Sequence, residues 1–163
     1  ACADSRVDPA LLTDAEPGEL FVVRNVANLV PPHAPDTGLH GTSAAIEFAV
    51  RDLLVEHIVL LGHAGCGGIR ALIEGDHEER EFIDAWVAIA RAAADKGGHD
   101  HAAVERAAVA GSLNNLLTFP WIRERHATGA LQIHGWWFDL EAGELWYTEP
   151  GAEDFKALGL AQG

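Results

Sequence analysis

Apolar residues recur along this chain in two rhythms, and the switches between them mark out the elements. Ala45, Ile46, Ala49, Val50, Leu53 and Leu54 fall on one stripe at helical spacing, with Thr42 or Ser43 placed to cap that helix. Residues 57–62 contain Ile58-Val59-Leu60-Leu61, an uninterrupted apolar run that suits a strand covered on both faces. After Gly67, the spacing of Ile69, Leu72 and Ile73 begins another helix. Residues 81–95 and 101–117 read as alanine-rich amphipathic helices joined by Lys96-Gly97-Gly98, and Pro120 opens a shorter helix running to about His126. Residues 130–140 and 145–147 read as strands around the turn Glu141-Ala142-Gly143. Nearer the start, residues 20–24 carry the apolar and β-branched run of a buried strand. Residues 2–7 read as the end of a strand that points Cys2, Asp4 and Arg6 the same way, because side chains alternate with a period of two. Asp8-Pro9 opens a short helix, Glu16-Pro17-Gly18-Glu19 is a turn, and residues 30–41 are loop.

Strands that alternate with helices in this way predict an α/β domain, and 163 residues without repeats or linkers predict a single one, residues 1–163. The formal net charge of −14 argues against nucleic acid and anionic membranes as partners, since a polyanion is repelled over the whole surface. A small uncharged substrate meets no such barrier. With no signal peptide or transmembrane run in these residues, a reducing, cytoplasmic setting is expected.

The chemistry concentrates in two short runs, Cys2-Ala3-Asp4-Ser5-Arg6 and Gly62-His63-Ala64-Gly65-Cys66-Gly67-Gly68. The second follows the apolar strand and precedes a helix, the usual place for a site in an open α/β sheet. Its glycines leave room for backbone to bend around an ion. Cys2, His63 and Cys66 together offer two thiolates and an imidazole, the donor set that favours zinc and leaves one coordination position open for chemistry. Three other readings stay open at this stage. The two cysteines could form a disulfide, Asp4 or another histidine could close a structural site as fourth ligand, and the glycine-rich turn could hold a phosphate. The last lacks the lysine and the Ser or Thr of a phosphate loop. Of the other histidines, His33, His40, His77, His99 and His101 fall on loops or polar faces, whereas His57 and His134 adjoin strands.

Asp4 and Arg6 lie two apart on one face, within reach of an ion pair. A structural salt bridge is one reading. The other is that Arg6 keeps Asp4 off the metal, so that the carboxylate orients a solvent molecule held there.

These residues resemble a known family. Cys-x-Asp-x-Arg followed about 60 residues later by His-x-x-Cys in a glycine-rich loop is similar to the β-class carbonic anhydrases. The likeness extends through Glu16-Pro17-Gly18-Glu19, Val23-Arg24-Asn25-Val26-Ala27-Asn28, Ala44-Ala45-Ile46-Glu47-Phe48-Ala49-Val50 and His134-Gly135-Trp136. It implies a mainly parallel four-stranded sheet with an additional edge strand, flanked by helices, in a homodimer that can pair into tetramers. It also implies zinc on Cys2, His63 and Cys66, with Asp4 and Arg6 as the catalytic dyad. Phe21, Phe48 and Gly67 would line the substrate pocket. The activity implied is reversible hydration of carbon dioxide to bicarbonate and a proton by attack of zinc-bound hydroxide.

The chain departs from the family pattern in two respects: it lacks the helical arm that members usually carry upstream, and it does not reproduce the inhibitory bicarbonate site of some bacterial members. Arg24 matches that site's arginine, but Phe138 stands where its tyrosine would be. Two rival functions have the same ligands, hydrolysis of carbonyl sulfide or carbon disulfide and a catalytically silent zinc module.

Overall fold

A computed structural model describes residues 1–75, 80–152 and 154–159. In chain order the helices are α1 (Pro9–Thr13), α2 (Gly41–Glu47), α3 (Gly67–Glu74), α4 (Ile83–Val87), α5 (Arg91–Gly97), α6 (His101–Leu116) and α7 (Pro120–Ala127). The strands are β1 (His57–His63), β2 (Gln132–Asp139), β3 (Glu144–Thr148) and β4 (Lys156–Ala157), hydrogen-bonded in that order into one four-stranded sheet. β1 and β2 run parallel, with His63 opposite Phe138, and β2, β3 and β4 are antiparallel neighbours. The sheet flanked by helices is the α/β arrangement expected.

The apolar run of β1 is buried where it matters for the site, with Leu60 and Leu61 at 5% and 4% exposure. Helix α6 covers the sheet: Val109, Leu113 and Leu116 share one cluster with Leu60, Ile133, Leu131 and Ile122. The helix comes so close that a Cβ on Gly62 would lie 2.5 Å from Val109 Cγ2, and one on Gly135 would lie 2.7 Å from Leu113 Cδ1. A second cluster, with Val7, Ala27, Leu29, Ile69, Leu72, Val87 and Val104, also encloses both cysteines.

Several local expectations are corrected. Residues 2–7 and 20–24 do not form ladders. Cys2 and Asn25 make a single parallel bridge, with Ala3 N donating to Asn25 O and Asn25 N to Ala1 O. The chain turns immediately afterwards, where Val7 N donates to Asp4 O, and this ends the pairing. The parallel character expected of the sheet is therefore confined, among the described residues, to β1 with β2 and this bridge. Leu20, Phe21 and Val22 are also not buried, being 43%, 48% and 45% exposed. No hydroxyl caps α2, since Thr42 Oγ1 is instead reached by the Asn25 side chain at 3.4 Å. Residues 81–95 break into α4 and α5 around a tight turn at Ala88–Ala90, which lets Val87, Ala90 and Ala93, three apart, all face the core. His77 lies outside the described residues.

Candidate metal centre

The parallel pairing of β1 with β2 carries the chain to His63, and Ala64 N continues the ladder by donating to Phe138 O at 2.9 Å. The backbone then reverses at Gly65, whose φ of +65° suits glycine, and α3 starts directly after Cys66. A Cβ on Gly68 would lie 2.7 Å from Val26 Cγ1 and 2.9 Å from the Ala27 Cβ. The first turn of α3 is thus pressed against the turn at Val26–Asn28, which brings the second run of the sequence up to the first.

The result is a buried trio. One ligand atom each from Cys2, His63 and Cys66 lies within 4.8 Å of the others, and the three residues are 5%, 1% and 1% exposed. The sulfurs are 3.9 Å apart and both cysteines are free, which removes the disulfide reading because that bond is about 2.05 Å long. His63 Nδ1 lies 2.9 Å from the Ala64 carbonyl, so that nitrogen carries the proton and donates it. Nε2 is left as a bare acceptor, buried and without a hydrogen-bond partner. An orphaned imidazole nitrogen is costly, and it is the donor a metal ion satisfies.

The sulfurs show the same frustration. The S–H of Cys66 beside it holds the Cys2 thiol well below its ordinary value against the opposing effect of burial, aided by the neighbouring His63 imidazole, by Asp4 N–H at 3.5 Å and by Ala27 N–H. The same contact, together with burial, pushes Cys66 up. Two thiolates this close cannot both ionise in an apolar cluster unless a cation stands between them. The trio therefore fits a soft divalent ion.

Asp4 stands beside the trio, with Oδ2 4.0 Å from His63 Nε2. Arg6 grips it with both arms of the fork, Nε to Oδ1 at 2.9 Å and an Nη2 to Oδ2 at 2.7 Å, and also reaches Gly65 O at 3.0 Å. Hydrogen bonds from the Arg6 side chain and backbone hold the Asp4 carboxyl well below the usual carboxylate range. Arg24 fixes the whole segment, donating to the carbonyls of Cys2 at 2.9 Å, Asp4 at 2.5 Å and Val7 at 3.0 Å and pairing with Asp8 at 3.2 Å.

Of the residues expected near the substrate, Phe21 and Phe48 meet each other with ring centroids 5.9 Å apart and both half exposed. The open side of Gly67 has no atom within 4 Å of a built Cβ. Among the other histidines, His57 Nδ1 lies 3.2 Å from His134 Nε2 and His40 Nε2 lies 2.7 Å from Asp36.

The sequence reading missed Glu105. This acid is 3% exposed and takes Cys66 N–H on Oε1 at 2.9 Å and Trp137 Nε1–H on Oε2 at 3.2 Å. The signal was present: Glu105 lies on the same stripe as Val104, Ala108, Val109 and Ser112, an acid on the apolar face of its helix.

Comparison with known proteins gives the family. The family model described as carbonic anhydrase matches residues 1–145. A β carbonic anhydrase 5, chloroplastic, of Arabidopsis thaliana is 42% identical over 151 residues, 86% of this chain and 50% of that protein. A carbonic anhydrase of Pseudomonas aeruginosa is 39% identical over 167 residues, 97% of this chain and 75% of that protein. The solved structure of the β-carbonic anhydrase CcaA superposes with a TM-score of 0.85 at 32% identity, covering 98% of this chain and 76% of that one. The chain belongs to the carbonic anhydrase family, in its β class. It spans half the length of the plant relative. No helix among the described residues is long and apolar enough to cross a membrane.

Proposed function

We propose that Cys2, His63 and Cys66 hold a zinc ion and that the chain catalyses the reversible hydration of carbon dioxide to bicarbonate and a proton, with Asp4 and Arg6 as its working pair. The observation that carries this reading is the bare, buried Nε2 of His63 beside two sulfurs, with an anionic carboxylate 4.0 Å away that is held by another residue. When bound, zinc supplies a Lewis acid that brings the pKa of water down toward about 7.

The chain's own residues do the rest. Asp4 stays ionised because Arg6 donates to both of its oxygens; Oδ1 takes the Arg6 backbone N–H and Nε–H, whereas Oδ2 takes one Nη2–H and keeps a lone pair for a further donor. It accepts a hydrogen bond from the attacking solvent molecule and so turns that molecule's lone pair toward the carbon of the substrate. Arg6 is tied to Gly65 O as well and keeps Asp4 from swinging onto the ion, which leaves a coordination position free. Carbon dioxide is uncharged and enters without penalty, whereas bicarbonate leaves a chain of formal charge −14 as a like charge. Gly67, Phe21 and Phe48 are assigned to the substrate side. Arg24 is committed to four acceptors around the dyad, and this reading leaves it no part in a regulatory bicarbonate site.

The working form in this reading is a homodimer or homotetramer in the cytoplasm; the exposed side chains of Leu20, Phe21, Val22, Phe48 and Leu54 support the assembly, which would cover them. Metal analysis together with stopped-flow hydration of carbon dioxide tests the proposal. One zinc per chain and hydration that disappears on chelation and returns with zinc are expected. Turnover of carbonyl sulfide or carbon disulfide in place of carbon dioxide, or zinc without any turnover, would overturn it.

A further inference from the structure

Glu105 plays no part in the chemistry just described, yet it is a buried acid touching the centre. Its two oxygens have different tasks. Oε1 takes the N–H of Cys66, and Oε2 takes the indole N–H of Trp137. Trp137 lies opposite Gly62 in the register of β1 with β2, next to the pair His63 and Phe138. The carboxylate therefore spans from the last residue of the loop that carries His63 and Cys66 to the strand beside the loop's beginning. Trp137 is itself held in place, 3% exposed with the Arg106 guanidinium 4.9 Å over its ring, and Arg106 is the neighbour of Glu105 on α6.

We propose that Glu105 is a positioning residue for the metal centre, clamping the loop from Gly62 to Cys66 between α6 and β2 so that the Cys66 sulfur and His63 Nε2 face one point. The proposal rests on the zinc reading above. The chemistry of the two contacts makes it specific to a carboxylate. Both partners are N–H donors, so the bridging group must accept on both sides, and a carboxamide of the same shape can accept on only one. In Glu105→Gln the amide nitrogen is set against an N–H, and one buried donor loses its partner. Outer partners that orient metal ligands typically change affinity by about 10–100-fold when altered.

The test compares the unsubstituted full chain with Glu105→Gln and Trp137→Phe. Zinc affinity is measured by competition with a chromophoric chelator, and the cobalt-substituted proteins are compared in the thiolate charge-transfer and d–d region. Thermal unfolding of the metal-free proteins reports the fold. Expected for Glu105→Gln are zinc affinity lower by about 10–100-fold and displaced cobalt bands. Trp137→Phe keeps the Cys66 contact and removes only the second anchor, so a smaller loss, several-fold, is expected. It decides the matter if Glu105→Gln does not fold. A variant that is less stable without metal but binds zinc within twofold of the unsubstituted chain, with an unchanged cobalt spectrum, overturns the proposal and leaves a merely structural role. An unsubstituted chain that takes up no zinc overturns the zinc reading and this proposal with it, so the two failures are told apart.

Discussion

Asp4 comes within 4.0 Å of His63 Nε2 and is held at that distance by Arg6, which grips Oδ1 at 2.9 Å and Oδ2 at 2.7 Å. A free carboxylate at that distance would close the fourth position of a zinc site and leave it structural. Asp4→Asn keeps the shape but loses the charge and one acceptor. It is expected to bind as much zinc per chain as the unsubstituted protein while its hydration kcat/KM falls by about 100–10,000-fold, the range over which a positioned acid–base side chain acts. Stopped-flow hydration beside metal analysis checks this, and a fully active Asp4→Asn would remove the dyad from the mechanism.

Arg24 is expected to matter as much for the fold as for the site. Its guanidinium collects the carbonyls of Cys2, Asp4 and Val7 and the Asp8 carboxylate, the backbone of the whole segment that carries the first sulfur and the dyad. A lysine cannot present several donors in one plane, so Arg24→Lys leaves carbonyls unpaired. The expected loss is about 2–3 kcal/mol of stability, the scale for hydrogen bonds to a charged group. Denaturant unfolding of the zinc-free proteins measures it, and a midpoint unchanged by the substitution counts against the role.

Much of this site was legible in the letters because its signals are local. His63 and Cys66 lie three apart at the end of an apolar run, and the structure ends β1 at His63 and begins α3 after Cys66. The helix over 101–116 and the hairpin were legible for the same reason, since each carries its own period or turn, whereas the single helix read over 81–95 is broken at Ala88–Ala90. What escaped depends on partners distant in sequence. Residues 20–24 look like a buried strand from composition alone, yet Phe21 and Val22 are half exposed and pair in no ladder. The two-residue β4 has no period to read. Glu105 could be found only by asking why an acid sits on an apolar stripe, and its partners lie 39 and 32 residues away.

The histidine pair at the far end of the parallel strands sets an acid limit on stability. His134 is lowered from its usual value by burial and by His57, whose Nδ1 lies 3.2 Å from its Nε2. A histidine depressed in the folded chain binds fewer protons there than in the unfolded chain. The stability it leaves intact above about pH 6.5 is therefore lost as the pH falls from that value toward its folded one. His134→Gln removes the difference. The drop in melting temperature between pH 7.5 and 5.5 is expected to be smaller in the variant than in the unsubstituted protein. Parallel scans at those pH values decide, and an equal drop in both removes the pair as the cause.

Two neighbouring glycines should respond oppositely to the same methyl group. A Cβ on Gly68 would meet Val26 Cγ1 at 2.7 Å and the Ala27 Cβ at 2.9 Å, inside the contact that joins the two halves of the metal centre. Both neighbours are side-chain carbons on a turn where Ala27 and Asn28 already hold φ of +62° and +48°, so little slack is available. Gly68→Ala is expected to cost about 1–3 kcal/mol, as overpacking does, and to weaken zinc binding along with it. A Cβ on Gly67 meets nothing within 4 Å, and the residue opens α3 without a positive φ. Gly67→Ala should then raise stability by about 0.4–1 kcal/mol through the unfolded chain. If Gly67 borders the substrate, the same variant lowers hydration of carbon dioxide while zinc content and stability hold. Measuring melting temperature, zinc content and hydration on both variants separates the cases, and a Gly67→Ala protein with full activity takes Gly67 out of the pocket.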